Sequence, residues 1–162
     1  NLGYYMSLYD TWSSYKPEAE GVFIAYASIH GNTANAACAI ADMFRAAGVK
    51  VSLADLSRDD MAEAIEDAFK YDRMIVAASS YDGDLFPPMY DFLHHLQLKN
   101  YQNRKVGIVE NGSWAPSAGR VMRKMLEEMK DITIASPMVT LRSALKPSDM
   151  ERVQTLVTEM SK

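Results

Sequence analysis

From position 21 onward the chain alternates two kinds of apolar pattern. Short runs rich in β-branched and small apolar residues, at 22–27, 49–53, 73–78, 105–110 and 132–141, read as strands. Between them, apolar side chains recur at i, i+3, i+4 and i+7: Ala37, Ile40, Ala41 and Phe44; Met61, Ala64, Ile65 and Ala68; Met89, Phe92, Leu93 and Leu96; Val153, Leu156, Val157 and Met160. That spacing predicts amphipathic helices, each turning one stripe toward a sheet. A further helix, over about 118–129, carries Val121, Met122, Met125, Leu126 and Met129 on its stripe, and core packing explains these methionines. Strand-helix alternation is the sequence form of an α/β fold, here a doubly wound five-stranded parallel sheet with helices on both faces. The first, third and fourth runs are nearly continuous in apolar residues and belong in the centre, whereas the second alternates and suits an edge. Ser57-x-x-Asp60 and Ser148-x-x-Glu151 resemble capping boxes, and Gly48 stands where the first of these helices should stop.

The opening residues do not share this order. Positions 1–16 are rich in Tyr and Ser and show no clear period before Pro17. Residues 1–20 therefore read as a linker or the remnant of an upstream domain, and 21–162 as one domain. A length of 162 residues with 48% hydrophobic content suits a single core. Net charge is −4, without a basic stripe, which argues against a nucleic-acid partner. No run approaches the ~20 apolar residues of a membrane span, so a cytoplasmic chain without a membrane partner is expected. The one cysteine, Cys38, excludes an intrachain disulfide and reads as core filler in its helix.

Candidate chemistry gathers in three connections that follow the first, third and fourth strands. Ser28-Ile29-His30-Gly31-Asn32-Thr33 joins a strand to a helix and offers hydroxyls together with backbone N–H groups at a helix N-terminus. Gly31 lets the backbone curl around a ligand. The lysine of a Walker A loop is missing, as are two glycines of a dinucleotide fingerprint, so a single terminal phosphate is the anion expected. The second connection, Ser79-Ser80-Tyr81-Asp82-Gly83-Asp84-Leu85-Phe86 before Pro87-Pro88, is long for a connector and exposes aromatic surface. In the third, Asn111-Gly112-Ser113-Trp114-Ala115-Pro116-Ser117, Gly112 permits close approach and Trp114 offers a flat face. Three such loops at one sheet edge could sandwich a planar ring system.

These loops resemble the FMN site of the flavodoxin fold. More narrowly, the chain is similar to the C-terminal flavodoxin-like domain of flavodiiron proteins (A-type flavoproteins), whose phosphate loop Tyr-x-Ser-x-x-Gly-Asn-Thr corresponds to Tyr26 through Thr33. Tyr9 to Trp12 resemble the segment leading out of that family's diiron domain. The resemblance implies strand order 2-1-3-4-5 and FMN as cofactor. It implies a site made of Ser28, Ile29, His30, Gly31, Asn32 and Thr33; Ser79, Ser80, Tyr81, Asp82 and Gly83; and Asn111, Gly112, Ser113, Trp114 and Ala115. The second and third loops depart from the family's usual Pro-Thr-Asn-Gly and Gly-Ser-Tyr-Gly-Trp patterns, which leaves the stacking partners open between Tyr81 and Trp114. Asp82 and Asp84 add negative charge beside the ring.

The implied function is electron transfer. A small redox protein or an NAD(P)H-dependent reductase would donate, and a diiron oxygen or nitric oxide reductase domain of a homodimeric parent would accept. No His-x-Glu-x-Asp signature occurs in the chain, and its three histidines, His30, His94 and His95, cannot build a two-metal site. Two other flavin readings stand beside it, a free-standing flavodoxin and a flavin-dependent quinone reductase. A non-redox doubly wound module is the third, although the first strand ends in Ala25-Tyr26-Ala27 with no phosphoacceptor aspartate.

Overall fold

The computed structural model describes residues 2–13, 15–112 and 116–162. Five parallel strands form the backbone of a single sheet: β1 (Ala19–Ala27), β2 (Val51–Asp55), β3 (Tyr71–Tyr81), β5 (Arg104–Asn111) and β6 (Ile132–Ile134). Two short strands are added to it, β4 (Asp84–Leu85) antiparallel to β3 and β7 (Val139–Leu141) parallel to β5. The order β2-β1-β3-β5-β6 puts the alternating second strand at an edge and the apolar runs in the middle. This is the flavodoxin fold, an α/β parallel sheet in the expected order.

Period-two alternation along the central strands sends side chains to two separate cores. Phe23, Ala25, Met74 and Val76 pack under α3 (Met61–Lys70), α4 (Pro87–Leu98) and α5 (Ala118–Glu127). Val22, Ile24, Ile75 and Ala77 meet α2 (Asn32–Ala46) and α6 (Met150–Met160) on the other face. All four residues of the predicted α2, α4 and α6 stripes are buried, while Met61, Val121 and Met129 lie at the margin of theirs. At the end of α2 the Gly48 N–H donates to Arg45 O and the Val49 N–H to Phe44 O, closing the helix as its sequence predicts.

Several expectations are corrected. Residues Leu2–Ser13 form a helix, α1, where the sequence shows no stripe, and Leu2, Tyr4, Tyr5 and Met6 are all exposed on it. An exposed first half of a helix adds no apolar stripe that a periodic reading could find. Cys38 is exposed, because it follows Ala37 by one residue and is turned about 100° away from the stripe. The 132–141 run is two strands, interrupted where Pro137 has no N–H to give a ladder. Asp60, and not Ser57, caps α3 by accepting the Ala62 N–H at 2.9 Å. Ser148 does not cap α6, whose start has no side-chain cap among the described residues; the Asp149 carboxylate instead accepts the Lys146 N–H and closes the turn over 147–149.

Candidate functional site

Behind the carboxyl end of β1, the Ser28 hydroxyl accepts the Gly31 N–H at 2.9 Å and folds the chain into a tight turn. Gly31 has φ +87°, a conformation that a side chain would strain, and it occupies the cap position of α2 with no side chain to satisfy the helix. The N–H groups of Asn32, Thr33 and Ala34 have no carbonyl one turn back within α2, so the positive end of the helix faces outward with free donors. Thr33 is almost fully buried, and its hydroxyl lies 3.0 Å from that of Ser79 at the end of β3.

These groups open onto a cleft of about 240 Å³ at the carboxyl ends of the central strands, on either side of which the strand order reverses. Loop one contributes Ser28, Ile29, His30, Asn32 and Thr33, and the opposite wall is formed by Ser79, Ser80, Asn111, Gly112 and Ser143. Among the described residues no carboxylate lines it. An uncapped helix, several hydroxyls and no opposing negative charge suit a phosphate monoester. A larger groove of about 900 Å³ runs between α3 and α4, but it mixes Met61, Ile65 and Phe69 with charges of both signs, and the N-terminus of α3 is already capped. Volume alone does not mark the site.

The second connection is shorter than its sequence suggested. Ser79, Ser80 and Tyr81 are still strand, and Asp82-Gly83 is a two-residue hairpin turn with φ +49° and +76° that sends β4 back along β3. Tyr81 is exposed, with its ring 5.9 Å from that of Phe86. Leu85 is buried and Phe86 packs against the core, so neither offers the free aromatic or apolar surface expected of them. The Ser80 hydroxyl oxygen accepts the N–H groups of Ser117 and Ala118, which ties α5 to the end of β3. Of the third loop, Asn111 and Gly112 reach the cleft, while Ser113, Trp114 and Ala115 lie outside the described residues.

Ser143 is the residue missed by the sequence reading. Reading 132–141 as one strand hid the fact that its carboxyl end reaches the same edge as β5, and the only local signal was Pro137. His94 and His95 are exposed on α4, as a surface position requires. Among the described residues no group of three His, Cys, Asp or Glu is placed to hold a metal ion. No helix among them is long and apolar enough to cross a membrane.

The profile of the flavodoxin family matches residues 24–151. The chain belongs to the flavodoxin family. Flavodoxins bind FMN, and by this family match the chain is a flavodoxin-type FMN-binding electron-transfer domain. No curated protein matches it significantly. Among solved structures it is similar to rubredoxin:oxygen oxidoreductase from Desulfovibrio gigas, with TM-score 0.87 and 20% identity over 99% of this chain and 39% of that one. The flavodiiron protein from Giardia intestinalis gives 0.86 and 16%, over 99% and 40%. A flavodoxin from the domain Archaea gives 0.75 and 18%, over 88% of this chain and 96% of that one. The chain thus spans about two-fifths of the longer neighbours, and at these identities the flavodoxin fold is what is shared.

Proposed function

We propose that the cleft holds FMN and that the chain passes electrons to a diiron oxygen or nitric oxide reductase domain outside these 162 residues. Bound FMN supplies one- and two-electron transfer. The observation that carries the cofactor assignment is the end of α2, which among the described residues has neither a side-chain cap nor a carboxylate facing it. Ser28, Asn32 and Thr33 would hold the phosphate through side chains and through the N–H groups at the start of α2, with Gly31 giving room and Ile29 and His30 flanking it. Ser79 and Ser80 would follow the ribityl chain. Tyr81 and Trp114 would cover the ring, and backbone groups of Asp82, Gly83, Asn111, Gly112, Ser113 and Ala115 would meet its polar edge.

The proposed acceptor rests on coverage. The two long neighbours match 99% of the chain, whereas the archaeal flavodoxin matches 88%, which leaves about the length of the segment ahead of β1. On this reading residues 1–20 connect to a preceding diiron domain, 21–162 are the FMN domain, and the parent is a cytoplasmic homodimer. A small redox protein or NAD(P)H-dependent reductase would be the donor. A free-standing flavodoxin is the second reading, favoured by the match over 96% of the archaeal chain.

Titration of the cofactor-free protein with FMN and riboflavin tests the site. FMN should bind much more tightly than riboflavin, and equal affinities would remove the phosphate role of α2. The gene upstream of Asn1 tests the acceptor. An upstream His-x-Glu-x-Asp segment with iron in the full-length product supports it, and a start codon just before Asn1 leaves a free flavodoxin.

A further inference from the structure

We propose that the segment after β7 is a fourth wall of the cofactor cleft, in which Ser143 contacts FMN directly and Asn111 is the residue that positions it. This rests on the FMN reading above. Ser143 lines the same cleft as Ser28, Thr33, Ser79 and Gly112, although it belongs to none of the three loops that the sequence singles out. Its backbone has φ +68°, a left-handed conformation that a serine does not adopt by preference. Two hydrogen bonds keep it there. The Asn111 side-chain amide donates to Ser143 O at 2.7 Å and its carbonyl oxygen accepts the Ser143 N–H at 3.1 Å.

The neighbours of Asn111 repeat the attachment. The Glu110 carboxylate accepts the Thr140 hydroxyl at 2.7 Å and the Gly119 N–H at 2.9 Å, and the Gly112 N–H donates to Leu141 O at 3.1 Å. Three consecutive residues at the end of β5 thus fasten 140–143 at the mouth of the cleft. Pairing along β5 and β7 accounts for the register up to Leu141. It does not require the chain to continue into a strained serine whose peptide is gripped on both sides. A contact with the ligand does, because it needs the Ser143 hydroxyl held at one place. On this view the Asn111 amide is engaged by Ser143, and Asn111 serves the cofactor through Ser143 instead of as a side-chain ligand.

Two substitutions at an exposed position separate this role from simple loop anchoring. Ser143→Ala removes the hydroxyl and keeps the strained backbone, whereas Ser143→Gly removes the hydroxyl and relieves the strain. Both should weaken FMN binding about fivefold, the worth of one net hydrogen bond, while Ser143→Gly should leave the melting temperature of the FMN-free protein equal to or above that of the wild type. Affinity and stability would then move in opposite directions, which anchoring alone does not produce. Asn111→Ala should weaken FMN by at least as much, and its loss should not add to that of Ser143→Ala in the double variant. Wild-type FMN affinity in both Ser143 variants would overturn the proposal and leave the FMN reading intact. A wild-type protein that binds no FMN would overturn both.

Discussion

The two ends of the central strands both bury polar groups, and they treat them in opposite ways. At the amino end Arg104 is almost fully buried, and its guanidinium donates to five backbone carbonyls, those of Phe69, Tyr71, Gln102, Asn103 and Tyr15. At the carboxyl end the start of α2 presents N–H donors without a side-chain cap, and among the described residues the buried Thr33 hydroxyl meets only the hydroxyl of Ser79. One end is satisfied by its own chain. The other has donors to spare, and unspent donors on a rigid scaffold are what a binding site requires.

The strongest test of that contrast is Arg104→Met. It removes the donor from several buried carbonyls at once and should cost about 3 kcal/mol or more of stability, measured by urea denaturation. Proteolysis near Tyr15 should accelerate, because Arg104 also holds that carbonyl. FMN affinity of the folded protein should stay within about twofold, since an amino-end bond contributes nothing to the cleft; a tenfold loss would break the comparison. Thr33→Val should do the reverse. It keeps the buried shape, should change stability by less than about 1 kcal/mol, and should weaken FMN about tenfold by removing a hydroxyl from the phosphate.

A smaller effect is expected at the Asp82-Gly83 hairpin. Replacing Asp82 and Asp84 together by Asn removes two negative charges beside the proposed ring position, so the anionic reduced cofactor becomes easier to form and the second reduction potential should rise. FMN affinity for the oxidised form should change by about threefold at most. A potential that does not move would place the hairpin away from the ring.

How far each end was legible in the sequence follows from the same contrast. Loop one could be read because its hydroxyls, its glycine and its helix start are consecutive residues, and the helix stripes because burial repeats with a fixed period. Arg104 could not be singled out, since its partners are carbonyls and every residue has one. Nor could Asn111 and Ser143, which meet across 31 intervening residues through a strand that breaks where the sequence looks continuous. The Asp-Gly hairpin was legible and passed over, because Leu85 and Phe86 after it looked like loop surface when they are anchors of the core. α1 gave no signal, as the apolar Leu2, Tyr4, Tyr5 and Met6 of its first turns are exposed and follow no helical stripe.

The last test concerns an exception at the satisfied end. Tyr101 is buried beside Arg104, with the guanidinium carbon 5.6 Å from its ring centre, and among the described residues its hydroxyl is the one buried side-chain polar atom without a partner in the protein. Phe at this position keeps the ring and its edge contact with Phe69 while removing an unmet donor. Tyr101→Phe should therefore leave stability unchanged or raise it by up to about 1 kcal/mol. A fall of that size would mean that a trapped water completes the amino end after all. The pH profile separates this from a packing effect. Burial pushes the phenol up from its ordinary 10.0, so the unfolded chain releases this proton first and wild-type stability declines as pH rises above 10. The phenylalanine variant lacks that share of the decline, and its advantage over the wild type should widen from pH 10 upward while staying constant between pH 6 and 9.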